Sequence, residues 1–463
     1  MQQPYDPSGY RALTFHDAVP RFLSGEDTPR AYLERCLETI AQREPVVRAF
    51  VTLNPEGARA AADAAGERYR AGRPLSGIDG MPIGIKDLLM TADMPTKMGS
   101  PLFEQNFPKQ DSACIQALRA AGAVVLGKTV TTELGMSHPG PTTNPFNAEH
   151  TPGGSSSGSA AAVGAAMVPA TIGTQVVGSV IRPAGFCANY AIKPTYGALH
   201  RGERLSFSQS HLGVHAGSLA DMWRVAIEIA KRSGGDPGHP GLFGAMDLHA
   251  PVKPTRLIVM KAQGWPQTDG ATLKGFEAIL DDLRGAGVDV VLPEENPLLA
   301  AFEDAIAESL EICRDVCAYE LRWTLENLVA QFGGGLSDSM MSRLALSRAM
   351  TIDDYRLVLA KRETARRAFA AIAGLGEALI SLSSTGPAPR KDNDGIDSGV
   401  SHTTGSPAFN AATSVLGSPA ITMPLLAIRG LPVGVQVIGQ PHTDDRLAGI
   451  ANWITGHIRA RSV

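Results

Sequence analysis

Apolar side chains return along this chain at helical spacing in some stretches and as short continuous runs in others, and the two patterns alternate. Tyr32, Leu33, Cys36, Leu37 and Ile40 share one helical face, and Asp27-Thr28-Pro29 just before them supplies a cap and a first-turn proline. A second, Ala-rich helix is expected over about 55–71. The stretch 75–84 is dense in Gly and Pro, which puts Lys86 of Ile85-Lys86-Asp87-Leu88 at the edge of a strand or in a loop. An amphipathic helix over 112–121 then leads into the apolar run 123–128, which reads as a buried parallel strand. Helix then strand recurs at 159–168 and 169–174, and again at 271–286 and 288–292. Two further runs, 420–424 and 434–439, read as central strands. This alternation predicts an α/β protein with a large, mostly parallel mixed sheet covered by helices on both faces. Positions 298–375 are almost wholly helical, with Arg and Glu interleaved, and form a cap-like segment. Positions 383–407, rich in Ser, Thr, Gly, Pro and Asp, predict a long loop, either functional or a solvated connector.

At 463 residues the chain has length for about three domains of ~150 residues. No linker, repeat or charge block divides it, so a single domain spanning 1–463 is expected. A balance of 44% hydrophobic and 19% charged residues is that of an ordinary globular protein. The net charge of −4, with basic residues dispersed, argues against a nucleic-acid partner and against an anionic membrane surface. The first residues carry neither a basic nor an apolar leader, and no apolar run approaches ~20 residues, so a cytoplasmic enzyme, monomeric or homodimeric, is expected. Five cysteines, an odd and scattered set, suit reduced core thiols. Cys313 and Cys317 lie four apart on an expected helix, but no Cys or His pair of similar spacing accompanies them, and no metal is expected.

The chemistry concentrates in three segments: Gly84-Ile85-Lys86-Asp87, Gly153-Gly154-Ser155-Ser156-Ser157-Gly158-Ser159, and Gly178-Ser179. A serine hydroxyl needs a neighbouring base to act as a nucleophile, and a lysine kept neutral by burial is one. Positions 154–158 also satisfy G-x-S-x-G, but the nucleophile elbow must follow a strand, and 144–152 contains Pro145, Asn147 and Pro152 with no apolar alternation. Gly153 and Gly158 have phosphate-loop spacing, yet Ser159-Ala160 stands where Lys-Ser/Thr is required. His150 and His402 are the candidates for a conventional Ser–His pair, and both fall in expected loops. A tight turn explains any one such Gly-Ser cluster by itself. Agreement between separate segments favours a site.

Those segments, with Thr174-Gln175-Val176-Val177-Gly178-Ser179-Val180-Ile181-Arg182-Pro183-Ala184 and Lys193-Pro194-Thr195-Tyr196-Gly197, resemble in order the amidase signature family. The similarity extends to 80–87, 122–129, Asn144-Pro145 and 430–439, and is weakest over 236–387. The resemblance implies that Lys86 is the base, Ser155 a bridging serine held in a cis peptide, and Ser179 the nucleophile, with the main-chain N–H groups of Val176, Val177, Gly178 and Ser179 as oxyanion hole and no cofactor. Ser156 and Thr174 are candidates to support the site, with ordinary turn bonding the competing reading. Gly135, Met136 and Phe146 are candidates for the substrate pocket, with core packing as the competing role. Many members carry Asp-Thr-Gly-Gly-Ser with Arg two residues beyond, whereas here Gln175-Val176-Val177-Gly178-Ser179 has Arg182 three residues on. Ser-Val-Ile-Arg is more similar to malonamidases, where the arginine meets a substrate carboxylate; the alternative is a buried Arg182 paired with Asp87 or another acid. The apolar Val pair inclines toward neutral or aromatic substrates. The implied activity is hydrolysis of small-molecule amides, with aryl amides, carbamates and urethanes open to the same acyl-enzyme route. The alternatives are the amidase component of a tRNA-dependent amidotransferase and a non-catalytic binder on the same fold.

Overall fold

The computed structural model describes residues 4–136, 138–202, 208–392 and 404–463. The chain enters through α1 (Val19–Ser24) and α2 (Pro29–Val47), then β1 (Phe50–Leu53), α3 (Pro55–Arg70), β2 (Pro82–Lys86), α4 (Ala113–Ala120) and β3 (Val124–Thr129). The start of α2 follows from its sequence: Thr28 Oγ1 accepts the Ala31 N–H at 3.1 Å and Pro29 opens the first turn. Asn54 caps α3 in the same way, through Gly57 N–H. Next come α5 (Ser157–Gly164), β4 (Ala170–Gln175), α6 (Ile181–Phe186), β5 (Tyr190–Lys193), β6 (His211–Ala216) and α7 (Leu219–Ser233). The second half holds β7 (Arg256–Val259), α8 (Gly270–Gly285), β8 (Asp289–Val291), the run α9 (Pro297–Ile306), α10 (Ser309–Phe332), α11 (Asp338–Ala349) and α12 (Ile352–Ala371), and β9 (Ala378–Leu382). It closes with α13 (Ala411–Leu416), β10 (Ala420–Ile428), β11 (Leu431–Ile438), α14 (Asp444–His457) and β12 (Arg461–Ser462).

The strands form one mixed sheet in the order β1-β3-β2-β4-β6-β5-β10-β11-β9-β7-β8, with β12 beside β10. Its parallel pairings are β2–β3, β2–β4, β7–β8, β7–β9 and β10–β12. The centre, from β4 through β6, β5, β10 and β11 to β9, is antiparallel throughout. Helix–strand alternation in the sequence thus marks the parallel flanks. The centre differs because β5–β6 and β10–β11 follow one another with no helix between them among the described residues. Both faces are covered, and every residue of β2, β9 and β11 is buried.

The helical segment packs onto the β7–β9 end of the sheet, where Phe302 of α9 and Phe369 of α12 stack at 5.6 Å above Ile258 and Leu379. Hydrogen bonds tie it to the body. Glu303 accepts the N–H groups of Lys261 and Ala262 at 2.8 Å, and Gln263 Oε1 accepts that of Leu310 at 2.8 Å. Buried Glu133 accepts the Ser337 N–H at the start of α11. Among the described residues no helix is long and apolar enough to cross a membrane.

Candidate active site

β2 and β4 run side by side in parallel, Ile83 opposite Ala170 and Ile85 opposite Ile172, so Lys86 and Thr174 emerge at the same carboxyl edge. Outside such edges an α/β sheet leaves room for ligands. Close strand packing there requires Gly84, whose added Cβ would stand 2.9 Å from Thr129 Cγ2 and 3.0 Å from Thr171 Cγ2. The serine loop enters through Gly153 (φ 82°) and Gly154 (φ 57°), left-handed conformations that glycine adopts without strain. A Cβ on Gly154 would sit 3.0 Å from the Ser179 Cα, which shows how tightly this loop lies on the nucleophile turn.

Lys86, fully buried at the end of β2, points Nζ at Ser155 Oγ (2.6 Å), Thr174 Oγ1 (2.9 Å) and Ser156 Oγ (3.0 Å). The directions of these bonds are fixed by their neighbours. Ser156 Oγ accepts the Thr174 N–H at 3.2 Å and donates to the Thr174 carbonyl at 3.1 Å, so toward Lys86 it acts only as an acceptor. An amine that has lost its proton and gives its two N–H groups to Ser156 and Thr174 has its lone pair left for the Ser155 hydroxyl, whereas a protonated one donates to all three. The neighbouring carboxylate does not compensate Lys86: Asp87 faces Lys128 at 3.0 Å, and both are buried. Desolvation pushes the Lys86 amine well below its ordinary value. His215 on β6, which no motif singles out, is buried nearby and held neutral; burial first, then Lys86, pushes it down to about 3.

Ser179 follows β4 in a turn that Gln175 holds. Gln175 Oε1 accepts the N–H groups of Val180 (2.9 Å) and Ile181 (3.1 Å), and its amide donates to Ser414 Oγ at 3.1 Å. Ser179 Oγ accepts the Ser155 main-chain N–H at 2.9 Å. No direct Ser155 Oγ–Ser179 Oγ bond is formed among the described residues. The cis peptide implied for Ser155 is not found: the described residues contain none, and the loop turns through the left-handed Gly153 and Gly154. Among the described residues, none of the main-chain N–H groups of Val176, Val177, Gly178 and Ser179 finds a protein acceptor, so all four remain free to serve a developing oxyanion.

These groups open into a cavity of about 630 Å³. Gly135 and Met136 line it beside Val176 and Val177. Arg182 also lines it. Its Nε and Nη2 donate to the carbonyl (3.0 Å) and hydroxyl (3.2 Å) of Thr404, while the buried Nη1 has no partner among the described residues and burial lowers the guanidinium to about 10. The expected alternative, pairing with Asp87 or another acid, is not what the structure holds: Asp87 is taken by Lys128, and no acid within ion-pair distance of Arg182 lies among the described residues. Phe146 is not brought to this cavity. It packs edge-on against Tyr5 (5.1 Å) and Tyr10 (5.4 Å) in a small separate cluster and lines a different cavity. His150 lines a different cavity, and His402 lies outside the described residues. The opposite wall, which local sequence did not reveal, comes from α10 and α11 through Leu310, Glu311, Cys313, Cys317 and Arg343. Among the described residues no cluster of three His, Cys, Asp or Glu could hold a metal.

Compared with known proteins, residues 31–448 match the family model described as Amidase. The chain is 32% identical over 474 residues to a glutamyl-tRNA(Gln) amidotransferase subunit of Chloroflexus aurantiacus, covering 95% of each sequence. A crystal structure of an amidase superposes with a TM-score of 0.82 at 26% identity, covering 96% of this chain and 100% of the other. The peptide amidase of Stenotrophomonas maltophilia does so with a TM-score of 0.74 at 26% identity, covering 98% and 99%.

Proposed function

The chain belongs to the amidase family and is a hydrolase of carbon–nitrogen bonds; on that premise we propose that it cleaves non-peptide amides through an acyl-enzyme on Ser179. The observation that carries this reading is an unpaired, fully buried Lys86 amine 2.6 Å from Ser155 Oγ, while the Ser155 N–H holds Ser179 Oγ at 2.9 Å. Neutral Lys86 takes the proton of Ser155, and Ser155, after a rotation of its hydroxyl, takes that of Ser179. Ser179 attacks the carbonyl carbon, and the four unpaired N–H groups of the turn receive the oxyanion. The proton returns through Ser155 to the departing nitrogen, and water then hydrolyses the ester. Ser156 and Thr174 keep the lysine lone pair aimed at Ser155.

Arg182 supports a substrate with an acceptor oxygen, such as a carboxylate or a second carbonyl, close to the scissile bond. A Cβ on Gly178 would lie 2.8 Å from its unpartnered Nη1, one residue from the nucleophile. This favours small polar amides over purely apolar ones, and carbamates remain chemically accessible to the same route. The five cysteines are all free thiols, which supports a cytoplasmic setting. The test is a purified-chain screen against amides, anilides, esters and carbamates, with fluorophosphonate labelling read at Ser179. Turnover that survives Ser179→Ala, or labelling of the active wild type at a residue other than Ser179, ends the proposal.

A second reading has the relatives behind it: one component of an amidotransferase. It requires glutamine dependence and a stable complex with other chains. Turnover of simple amides by the isolated chain, as monomer or homodimer, favours the hydrolase.

A further inference from the structure

Two nucleophilic side chains in the wall of the catalytic cavity take no part in the chemistry above. Cys313 and Cys317 lie one turn apart on α10, and both face the cavity that holds Ser179. At this helical spacing the two Cβ atoms stand roughly 5–6 Å apart. That is wider than the ~3.5–4.5 Å a disulfide needs, so the pair stays reduced without distortion of the helix. Both sulfurs have the Gln209 amide as a common neighbour, and Gln209 Nε2 donates to the Val176 carbonyl at 3.4 Å. Cys317 also packs in the cluster against which Met136, Val176 and Val177 lie. The thiols therefore abut the turn that carries the oxyanion donors.

We propose that Cys313 and Cys317 form a dithiol site for trivalent arsenicals, and that its occupation closes the catalytic cavity. The claim that closure blocks chemistry rests on the reading of Ser179 given above; the binding claim does not. An arsenoxide R–As=O and the two thiols give R–As(S–Cys)2 and water: two As–S bonds form, the two thiol protons leave with the arsenoxide oxygen, and no oxidant is consumed. Two sulfurs that swing about their Cα–Cβ bonds can close on one arsenic where they cannot close on each other. Side chains this deeply buried are reached through the cavity, with Cys313 only 1% and Cys317 2% exposed. Burial raises both thiols, Cys317 to about 12 and Cys313 well above its ordinary value, so reagents that need a single free thiolate react slowly.

The experiment treats the full chain with phenylarsine oxide and reads adducts by intact mass. The expected result is one arsenic per chain, reversed by 2,3-dimercaptopropanol and not by the same concentration of 2-mercaptoethanol, with iodoacetamide far slower. Cys313→Ser, Cys317→Ser and the corresponding Ala variants should each lose at least tenfold in adduct stability, while Cys36→Ser, in a separate part of the core, should bind arsenic like the wild type. Fluorophosphonate labelling of Ser179 should fall in proportion to arsenic bound. Unchanged adduct stability in the Cys313 and Cys317 variants, or arsenic retained with Ser179 labelling intact, overturns the proposal. If the untreated enzyme is not labelled at Ser179, the reading of the nucleophile fails, while the mass measurement still decides the dithiol.

Discussion

Replacing Lys86 by Met tests the central electrostatic claim by two independent readouts. Lys86 is fully buried, no acid faces it, and desolvation alone lowers its pKa well below 10.5. In the unfolded chain the same side chain holds its proton up to its ordinary value of 10.5. Between the depressed folded value and 10.5, the unfolded state therefore binds one more proton than the folded state. Wild-type stability falls as pH is lowered through that window and recovers as pH rises, by about 1.4 kcal/mol per pH unit from this group. Lys86→Met lacks the group in both states, so its stability relative to wild type should grow as pH falls. The difference should widen steadily as pH is lowered from the ordinary lysine value toward the depressed folded one. The other titrating groups, the Asp87–Lys128 pair included, are common to both proteins; His215, which Lys86 also lowers, is neutral folded and unfolded above its ordinary value of 6.5, so it does not enter the comparison on the alkaline side. Urea unfolding of both proteins at half-unit pH steps measures the slope. Activity should fall in the same variant by ~10²–10⁴-fold, the usual share of a general base. Parallel stability curves would mean that folded Lys86 keeps its proton, and the base would have to be sought elsewhere.

Ser155→Ala and Ser179→Ala should each remove turnover by several orders of magnitude, and the double variant should be no worse than the worse single one, because groups acting as a unit do not add; single-turnover kinetics checks this. Arg182→Leu should lower kcat/KM for carboxylate-bearing amides by roughly 10- to 150-fold, the equivalent of a charge-assisted hydrogen bond of ~1.5–3 kcal/mol, while neutral amides change little. Equal losses on both substrate sets would make Arg182 a purely structural group. In Gly178→Ala the new methyl would meet Arg182 Nη1 and Asn410 Oδ1, each at 2.8 Å. The expected outcome is a reduced kcat with secondary structure unchanged by circular dichroism. Lys128→Met leaves the Asp87 carboxylate buried without its ion-pair partner, which should cost ~3–5 kcal/mol in denaturant unfolding; a loss below ~1 kcal/mol would show the pair to be dispensable.

Sequence made visible what depends on neighbours in the chain. The cap at Thr28, the Ala-rich helix after it and the breaks before Lys86 rest on local rules, and the structure places those elements within a few residues of expectation. Lys86, Ser155, Ser156, Thr174 and Ser179 come together because two adjacent parallel strands end at one edge and a glycine turn folds over them; resemblance named these residues, but periodicity alone did not. The far wall of the cavity was not legible. α10 carries Cys313 and Cys317 on a helix whose burial is spread around its circumference, and nothing within the helix says that one face looks onto a turn more than 130 residues earlier. The surroundings of Arg182 were not legible for the same reason. Its partner is Thr404, on a segment whose composition reads only as loop, while the acid nearest the catalytic lysine in sequence was already committed to Lys128. An arginine that satisfies two donors on a threonine and leaves the third buried and unpaired among the described residues carries a desolvation cost that the contacts described there do not offset. The arrangement makes physical sense when something entering the cavity supplies the missing acceptor, which is why its charge preference is the measurement that discriminates best among amide substrates.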